Sequence, residues 1–296
     1  MLRLYDASLR QAEVIRPAHP RELRVLAVVP FSPGEPQPRQ WRDWLQPDLI
    51  RRCAQRRSLV PTICEITSPV ARPAAGTGPV PDHSAARGAL NIHPPARIAA
   101  AGEPVERTVE FVEPRRADSR ADSRAGGPPP FDVGTGAPDW LAGALLAGGA
   151  LVGHVLAPAG AVAAGNGPQR LADVTGRGLD PLALRLVFLS RRYRDDVDLS
   201  WDALHLADKT LRRWRESVAE WAMSPSLTMA QGYADAATSA FEDDLDTPAA
   251  LRQLDALAAD GGLPEGAKFE TFAALDRLFG LDLARDIGRV SAPRDR

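Results

Sequence analysis

The stretch "ELRVLAVVPF", Glu22 to Phe31, decides the fold class because it is a short, nearly continuous apolar run. Such runs are typical of strands that are buried on both faces, as in a parallel sheet. The following residues, "WRDWLQPDLIRRCAQRRSLV" (41–60), have a helical pattern that begins after Pro47, and "VPTICEIT" (60–67) predicts a second strand. One side of that helix carries Leu49, Ile50, Cys53 and Ala54. Strand, helix and strand make a βαβ unit, so an α/β fold with a parallel sheet is predicted.

The next region, residues 68–138, loses this pattern. It is rich in Pro, Ala and Gly and includes "ADSRADSRAGGPPP" (117–130), which contains a tandem repeat. Such a composition buries too little apolar surface to offset the entropy of ordering the chain. Only "RTVEFVE", Arg107 to Glu113, alternates like a strand. Residues 68–138 are therefore predicted to be a flexible linker.

A long uncharged segment, Trp140 to Ala164, is the one candidate for a membrane span. Its 25 residues would cross a bilayer, but most are Ala and Gly, and His154 and Pro158 interrupt them. We expect no membrane span here. A buried helix from about Trp140 to Leu146 and a strand around residues 150–156 are predicted instead.

The C-terminal half is predicted to be helical. One helix starts with Asp180 as N-cap and Pro181 at the first position, and a second starts at Ser200. The second has a single apolar stripe with helical spacing, made of Leu204, Ala207, Leu211, Trp214, Val218 and Trp221. Two more helices are predicted, one after Thr247-Pro248 and one that ends near Gly280. Amphipathic helices with short connections indicate a helical bundle over residues 176–290.

The acidic stretch "FEDDLDTPAAL", Phe241 to Leu251, has two interpretations. Its carboxylates could lie at the positive end of a helix that starts with Thr247 as N-cap and Pro248 at the first position. Alternatively, they could form a metal site or a catalytic carboxylate pair. The helix-start interpretation is favoured unless the rest of the chain supplies partners for such a site.

Charge and cysteine content exclude several classes of protein. The net charge of −2 gives no overall basic field for nucleic acid, although residues 1–130 carry +5 and residues 131–296 carry −7. Two cysteines, Cys53 and Cys64, cannot form a disulfide framework. The start "MLRLYDASLR" lacks the apolar core of a secretion signal. A cytoplasmic location is expected.

Several segments, in order, resemble cysteinyl-tRNA synthetases and the related ligases of mycothiol synthesis. They are "LRLYDASLRQAEVIRP" (2–17), "PDLIRRCAQRRSLVPTICEIT" (47–67), "LADVTGRGLDPLALRLVFLSRRYRDDVDLSWDALHLADKTLRRW" (171–214) and the acidic stretch. The resemblance implies a truncated Rossmann-like class I catalytic domain, split between residues 1–67 and 139–175. A stem-contact region and helical bundle would follow over 176–290. It also makes the acidic stretch a helix start.

The resemblance implies ATP-dependent activation of cysteine by three sets of residues, and this chain lacks each of them. The His-x-Gly-His motif should follow the first strand, where "PFSPGEPQPRQW" (30–41) contains no histidine. The lysine-rich Lys-Met-Ser-Lys-Ser loop should precede Gly165-Asn166, where "AGAVAA" (159–164) carries no charge. The zinc ligands would lie near Val29 and after Trp140, where no cysteine or histidine matches. We therefore predict no catalytic residue, metal site or cofactor.

Three hypotheses about function follow. The first is an inactive paralogue that binds an unknown protein, or a second copy of itself, in a regulatory role. The second is an ATP-dependent ligase with a rebuilt site, for which His154, Gly165 and Asn166 are candidate cofactor-binding residues. Its other candidates are Arg51, Arg52, Arg56 and Arg57, which are otherwise predicted to be a solvated helix face. The third is a tRNA-binding or RNA-binding module that uses Arg191, Arg192, Arg194, Arg212, Arg213 and Arg215. A remnant without function is a further alternative.

Overall fold

The computed structural model describes residues 1–7, 9–30, 34–68, 82–99, 131–136, 152–156 and 159–289. Within them, a parallel sheet has the strand order β5-β4-β3-β6-β7. Its strands are β3 (Glu22–Pro30), β4 (Val60–Ser68), β5 (Arg97–Ala99), β6 (Phe131–Gly136) and β7 (Val152–Val155). β3 and β4 are in register from Glu22 opposite Val60 to Pro30 opposite Ser68. The predicted α/β fold with a parallel βαβ unit is confirmed.

Two short pairs of strands complete the described β structure. β1 (Arg3–Asp6) and β2 (Gln11–Val14) form an antiparallel hairpin. β8 (Val162–Ala163) pairs in parallel with β9 (Val197–Asp198), outside the five-stranded sheet.

The helices divide between the sheet and the C-terminal half. α1 (Pro38–Arg56) and α2 (Ser84–Ala89) connect strands of the sheet. The remaining helices are α3 (Leu171–Thr175), α4 (Leu182–Leu189), α5 (Trp201–Trp221), α6 (Gln231–Glu242), α7 (Thr247–Ala259) and α8 (Glu265–Phe279). The predicted apolar stripe of α5 is buried along its whole length, from Leu204 to Trp221.

Helix α1 lies at the centre of the molecule and starts earlier than the sequence predicts. It begins at Pro38, and Pro47, the predicted boundary, lies inside it. A proline inside a helix removes one backbone donor, and here the burial of both flanking turns stabilises the helix in spite of this loss. Each of residues 38–54, all of them described, is buried or half-buried. The reason is that α1 packs against the sheet on one side and against α8 on the other.

The predicted linker over 68–138 is wrong for two of its parts. Residues 82–99 contain α2 and β5, and residues 131–136 form β6, which pairs with β3. These elements are held by long-range strand pairing that local composition does not reveal. The strand predicted at Arg107–Glu113 and the helix predicted at Trp140–Leu146 lie outside the described residues. The strand predicted around 150–156 is present as β7.

The acidic stretch is a structural corner, as predicted, but its helix cap differs. Asp246, rather than Thr247, caps α7 by accepting a hydrogen bond of 3.0 Å from the Ala249 backbone N–H. Thr247 is the first residue of α7, and its hydroxyl donates to the Leu189 carbonyl oxygen at 2.7 Å. Because both residue types cap helices well, only this tertiary contact decides between them.

Each carboxylate of this acidic corner has a partner. Glu242 pairs with Arg57 at 2.5 Å, and Asp243 pairs with Arg3 at 3.1 Å. Asp244 accepts from the Tyr5 backbone N–H and the Tyr193 hydroxyl, each at 2.8 Å, and pairs with Arg194 at 2.6 Å. Asp246 pairs with Arg192. The corner therefore binds the β1–β2 hairpin and the turn after α4 to the helical half.

Among the described residues, no helix is both long enough and apolar enough to cross a membrane.

Candidate functional site

The order of the strands places a candidate site at the carboxyl edge of the sheet. The chain passes from β3 outward through β4 to β5, and then returns to the other side of β3 for β6 and β7. In open parallel sheets, ligands bind in the crevice where the order reverses, outside the carboxyl ends of the strands. Here that crevice lies between the ends of β3 and β6, and helix α1 starts beside it.

The first turns of α1 contain several buried polar groups that carry no charge. Gln37 precedes the helix, and its side chain makes no capping hydrogen bond. Gln40 is 6% exposed, and its amide oxygen has no hydrogen-bond partner among the described residues. The buried indole N–H groups of Trp41 and Trp44 also lack described partners. These groups are neutral and buried, so they could not neutralise a phosphate.

The two arginines of this turn are both engaged. Arg39 donates to both carboxylate oxygens of Asp43, at 3.1 and 3.2 Å, and to the Gly160 carbonyl at 3.0 Å. Burial raises the pKa of Asp43 to about 6, although Arg39 opposes this shift. The carboxylate of Asp43 therefore titrates just below neutral pH and stays paired with Arg39 above it.

Arg42 is the more deeply buried of the two, at 2% exposed. It donates only to backbone carbonyl oxygens: those of Gly160 at 2.9 Å, Ala161 at 3.1 Å, Arg192 at 3.0 Å and Asp195 at 2.5 Å. Burial lowers the pKa of Arg42 to about 10, so the guanidinium remains charged at neutral pH. One side chain thus joins α1 to the segment before β8 and to the turn after α4.

Residues 159–161, where the resemblance implies a phosphate-binding loop, are held in place by hydrogen bonds. The Gly160 N–H donates to the Tyr193 carbonyl at 2.8 Å, and the Ala161 N–H donates to the Asp196 carboxylate at 2.7 Å. A Cβ atom at Gly160 would lie 2.2 Å from the Asp195 carbonyl oxygen, so only glycine allows this approach. Residues 159–161 are held by α1 and by the turn after α4, and they carry no charged side chain.

The predicted cofactor-binding residues lie in two different places. Gly165, with φ of +43°, and Asn166 are exposed in the turn between β8 and α3. The backbone of His154 lies in β7, opposite Val133 of β6, and its side chain is outside the described residues. No hydrogen bond within the described chain joins Gly165 or Asn166 to β7. Their role in binding stays a prediction.

A cluster that the sequence did not indicate packs α2 against α1. The Arg87 guanidinium lies 4.2 Å from the centre of the Trp44 ring and pairs with the buried Glu65 at 2.5 Å. The His83 ring lies 5.5 Å from the Trp44 ring. Burial lowers the pKa of His83 and raises that of Glu65, which Arg87 partly offsets. No spacing motif connects these residues, because they come from three separate elements.

The arginines of α1 are only partly the solvated face that was predicted. Arg56 and Arg57 are exposed, whereas Arg52 is buried and Arg51 donates to the Pro94 carbonyl at 2.7 Å. Arg52 belongs to a buried group that we call the Asp48 cluster. In it, Asp48 binds Arg52 at 2.8 Å, Arg185 at 2.7 Å and His93 at 3.3 Å. The prediction of solvation is therefore wrong for Arg52, because its guanidinium has a buried counterion.

The arginines considered for RNA binding are largely neutralised. Five of the six pair with aspartates: Arg192 with Asp246, Arg194 with Asp244, Arg212 with Asp208, Arg213 with Asp255, and Arg215 with Asp180. Only the Arg191 side chain has no ion pair among the described residues. A phosphate-binding surface needs a basic excess, which these pairs remove.

Metal ligands do not gather in the described part of the chain, where no group of three His, Cys, Asp or Glu side chains could hold an ion. Burial raises the pKa of Cys53 to about 12, so its thiol stays protonated and is a poor ligand. The side chain of Cys64 lies outside the described residues.

We expect purified protein to contain far less than one zinc ion per chain, because no described thiolate is available to bind it. Elemental analysis after gel filtration measures this ratio. About one zinc per chain, lost in Cys53→Ser or Cys64→Ser, would contradict the prediction.

Comparison with known proteins gives partial matches. The chain is 39% identical over 110 residues to an L-cysteine:1D-myo-inositol 2-amino-2-deoxy-alpha-D-glucopyranoside ligase of Streptomyces griseus, which covers 36% of this chain and 26% of that one. The ligase of the same name from Nakamurella multipartita is 37% identical over 107 residues, 36% and 24% of the two chains. A cysteine–tRNA ligase of Treponema denticola is 26% identical over 140 residues, 39% and 28%.

No family model matches the chain. A solved structure of an arginyl-tRNA synthetase candidate from Campylobacter jejuni aligns over 90% of this chain and 91% of its own, with 10% identity and a TM-score of 0.42. The resemblance to cysteine ligases and cysteinyl-tRNA synthetases is thus confirmed at the level of sequence. The matched stretch spans about a quarter of each of these relatives.

Proposed function

We propose that this chain is a non-catalytic relative of the cysteine ligases that uses the inherited scaffold to bind a partner, in a regulatory role. The partner is another protein or a second copy of the chain. The strand order, with β3 central and the reversal between β3 and β6, supports a truncated Rossmann-like domain of the class I synthetase type. The packed helices from α4 to α8 support a C-terminal bundle. A cytoplasmic location accords with this proposal.

The observation that carries the proposal is the state of residues 159–161. Activation of an amino acid by ATP expels pyrophosphate, and the enzyme must neutralise the negative charge that develops on it. In this chain the segment expected to do so has no cation, and Arg39 and Arg42 bind its carbonyl oxygens instead. Losing one charge-stabilising group commonly raises a barrier by about 3–4 kcal/mol. A site without lysines and without imidazoles would therefore be inactive.

Two arginines that follow this segment in the chain also have contacts of their own. Arg170 pairs with Asp173 at 3.3 Å, and the Arg177 guanidinium lies 4.0 Å from the centre of the Trp201 ring. Both contacts are at the surface and would be weak enough to break. These two residues are therefore the ones to test as replacement cations.

We expect no cysteine-dependent exchange between ATP and pyrophosphate above a no-protein control. The assay follows labelled pyrophosphate entering ATP, with a cysteine–tRNA ligase as positive control. Isothermal titration with ATP and magnesium separately reports whether the nucleotide binds at all. Exchange that requires cysteine and disappears in Arg170→Ala or Arg177→Ala would overturn the proposal.

Such a result would support the second candidate, an ATP-dependent ligase of cysteine or another amino acid with a rebuilt site. ATP would then be its cofactor, and Arg170 or Arg177 would supply the cation that residues 159–161 lack. An RNA-binding role has less support, because five of the six relevant arginines are paired with aspartates.

A further inference from the structure

A groove in the helical half lies apart from the sheet edge. It is formed by α4, β9, α5 and α7 and has a volume of about 490 Å³. Its floor is apolar and buried, and includes Leu186, Val187, Trp214 and Leu251. A volume of this size, with an apolar floor and a few charged groups at its rim, is typical of small-molecule sites. The groove therefore has the dimensions of a ligand site rather than of a packing defect.

The rim of the groove carries charges of both signs that do not neutralise one another. Arg191, Arg252 and Asp198 line it, all three are exposed, and none forms an ion pair with any described residue. Asp255, the fourth charged residue of the rim, pairs with Arg213 at 2.9 Å. This contrasts with the nearby arginines at 192, 194, 212, 213 and 215, each of which has an aspartate partner.

We propose that this groove binds a zwitterionic ligand with an apolar body, of the class of apolar or aromatic amino acids and their dipeptides. The ligand carboxylate would bind Arg191 and Arg252, its ammonium would bind Asp198, and its side chain would lie on the floor beside Trp214. A simple anion would face Asp198, and a simple cation would face the two arginines, so the zwitterion matches the rim best. This inference does not depend on whether the sheet edge is active, because it concerns different residues.

The experiment uses three probes that share one apolar body: L-phenylalanine, 3-phenylpropanoate and 2-phenylethylamine. We expect L-phenylalanine to bind in isothermal titration with a Kd of about 0.1–1 mM, because exposed charge pairs contribute little each. The other two probes, which each lack one charge, are expected to bind about three- to tenfold more weakly. Dipeptides such as Phe-Ala test the larger end of the class.

Substitutions of the charged rim residues test whether the probes bind in this groove. Arg191→Ala and Arg252→Ala are expected to weaken L-phenylalanine and 3-phenylpropanoate by about three- to tenfold and to leave 2-phenylethylamine unchanged. Asp198→Asn is expected to weaken L-phenylalanine and 2-phenylethylamine and to leave 3-phenylpropanoate unchanged. Arg56→Ala and Asp202→Asn change exposed charges outside the groove and serve as matched controls that should bind as the original protein does.

Three outcomes would overturn the proposal. The first is no saturable binding of any apolar amino acid or dipeptide at about 10 mM. The second is 3-phenylpropanoate binding as tightly as L-phenylalanine, which would indicate a site for anions alone. The third is binding that is insensitive to the rim variants, which would place the ligand elsewhere.

Discussion

Replacing Asp48 with asparagine is expected to lower the free energy of unfolding by about 3–5 kcal/mol, because removing one member of a buried ion pair leaves the other charge uncompensated. The Asp48 side chain is 1% exposed, as is that of Arg185, and Arg52 is nearly as buried. Arg185 and Arg52 also donate to backbone carbonyls at Leu90, Asn91, Phe279 and Arg277. The substitution would therefore weaken the contact between α1, the segment before β5 and the end of α8. Urea unfolding followed by circular dichroism measures the loss.

The matched control is Asp255→Asn, which also removes an aspartate paired with arginine. The side chains of Asp255 and Arg213 are 54% and 62% exposed, so that pair should contribute less than about 1 kcal/mol. A loss below about 1 kcal/mol in Asp48→Asn as well would show that the buried arginines do not depend on this carboxylate.

The same cluster predicts a dependence on pH. Burial alone would raise the pKa of Asp48, but Arg185, His93 and Arg52 together hold that pKa well below its ordinary value. The native carboxylate therefore binds fewer protons than the unfolded one, and its contribution to stability is complete above about pH 4. As the pH falls below this value, that contribution is lost. The difference in stability between the original protein and Asp48→Asn should shrink as the pH falls below about 4.

Replacing Trp214 with alanine is expected to lower the free energy of unfolding by about 3–5 kcal/mol, as truncations of buried aromatic side chains do. Trp214 is 1% exposed and lies in the middle of the buried stripe of α5. Its indole N–H has no described hydrogen-bond partner, so Trp214→Phe loses no hydrogen bond and should cost only about 1–2 kcal/mol. Thermal and urea unfolding of both variants measure the difference.

The control for Trp214 is Trp201→Ala, at the half-exposed start of the same helix, for which a smaller loss is expected. If Trp214→Ala kept its melting temperature and lost binding to a partner, the α5 stripe would be an interface instead of a core. Equal losses for the alanine and phenylalanine variants would mean that the indole N–H has a partner after all.

Local patterns in the sequence predict much of the helical half, since its signals lie close together along the chain. Ser200 does cap α5, accepting a hydrogen bond of 3.3 Å from the Ala203 N–H. The αL end of α8 at Gly280, with φ of +64°, also lies where expected. Glycine is required at this position for a second reason besides its positive φ, because a Cβ atom would come within 2.6 Å of the Arg52 guanidinium carbon.

Structural features that depend on partners far away in the chain could not be predicted from local sequence patterns. The buried state of Arg52 depends on Asp48 four residues away, but also on Asn91 and Arg277, which belong to other segments. The three-residue strand β5 exists because it pairs with β4. The hydrogen bonds from Arg42 join residues of α1 to residues 160 and 161. The charged residues at the rim of the groove likewise come from several segments. No local sequence pattern predicts these contacts, because their partners are far apart in the chain.

The acidic corner at 242–246 has a consequence for the order in which the protein is made. The carboxylates of Asp243 and Asp244 bind Arg3 and the Tyr5 backbone, 240 and 239 residues earlier in the chain. At about 5–20 residues per second, the ribosome needs on the order of ten to fifty seconds to synthesise the stretch between them. During that interval Leu4, 1% exposed in the finished fold, has not yet received its final contacts. The β1–β2 hairpin is thus synthesised long before the corner that binds it, and the nascent chain presents an uncovered apolar edge until the corner appears.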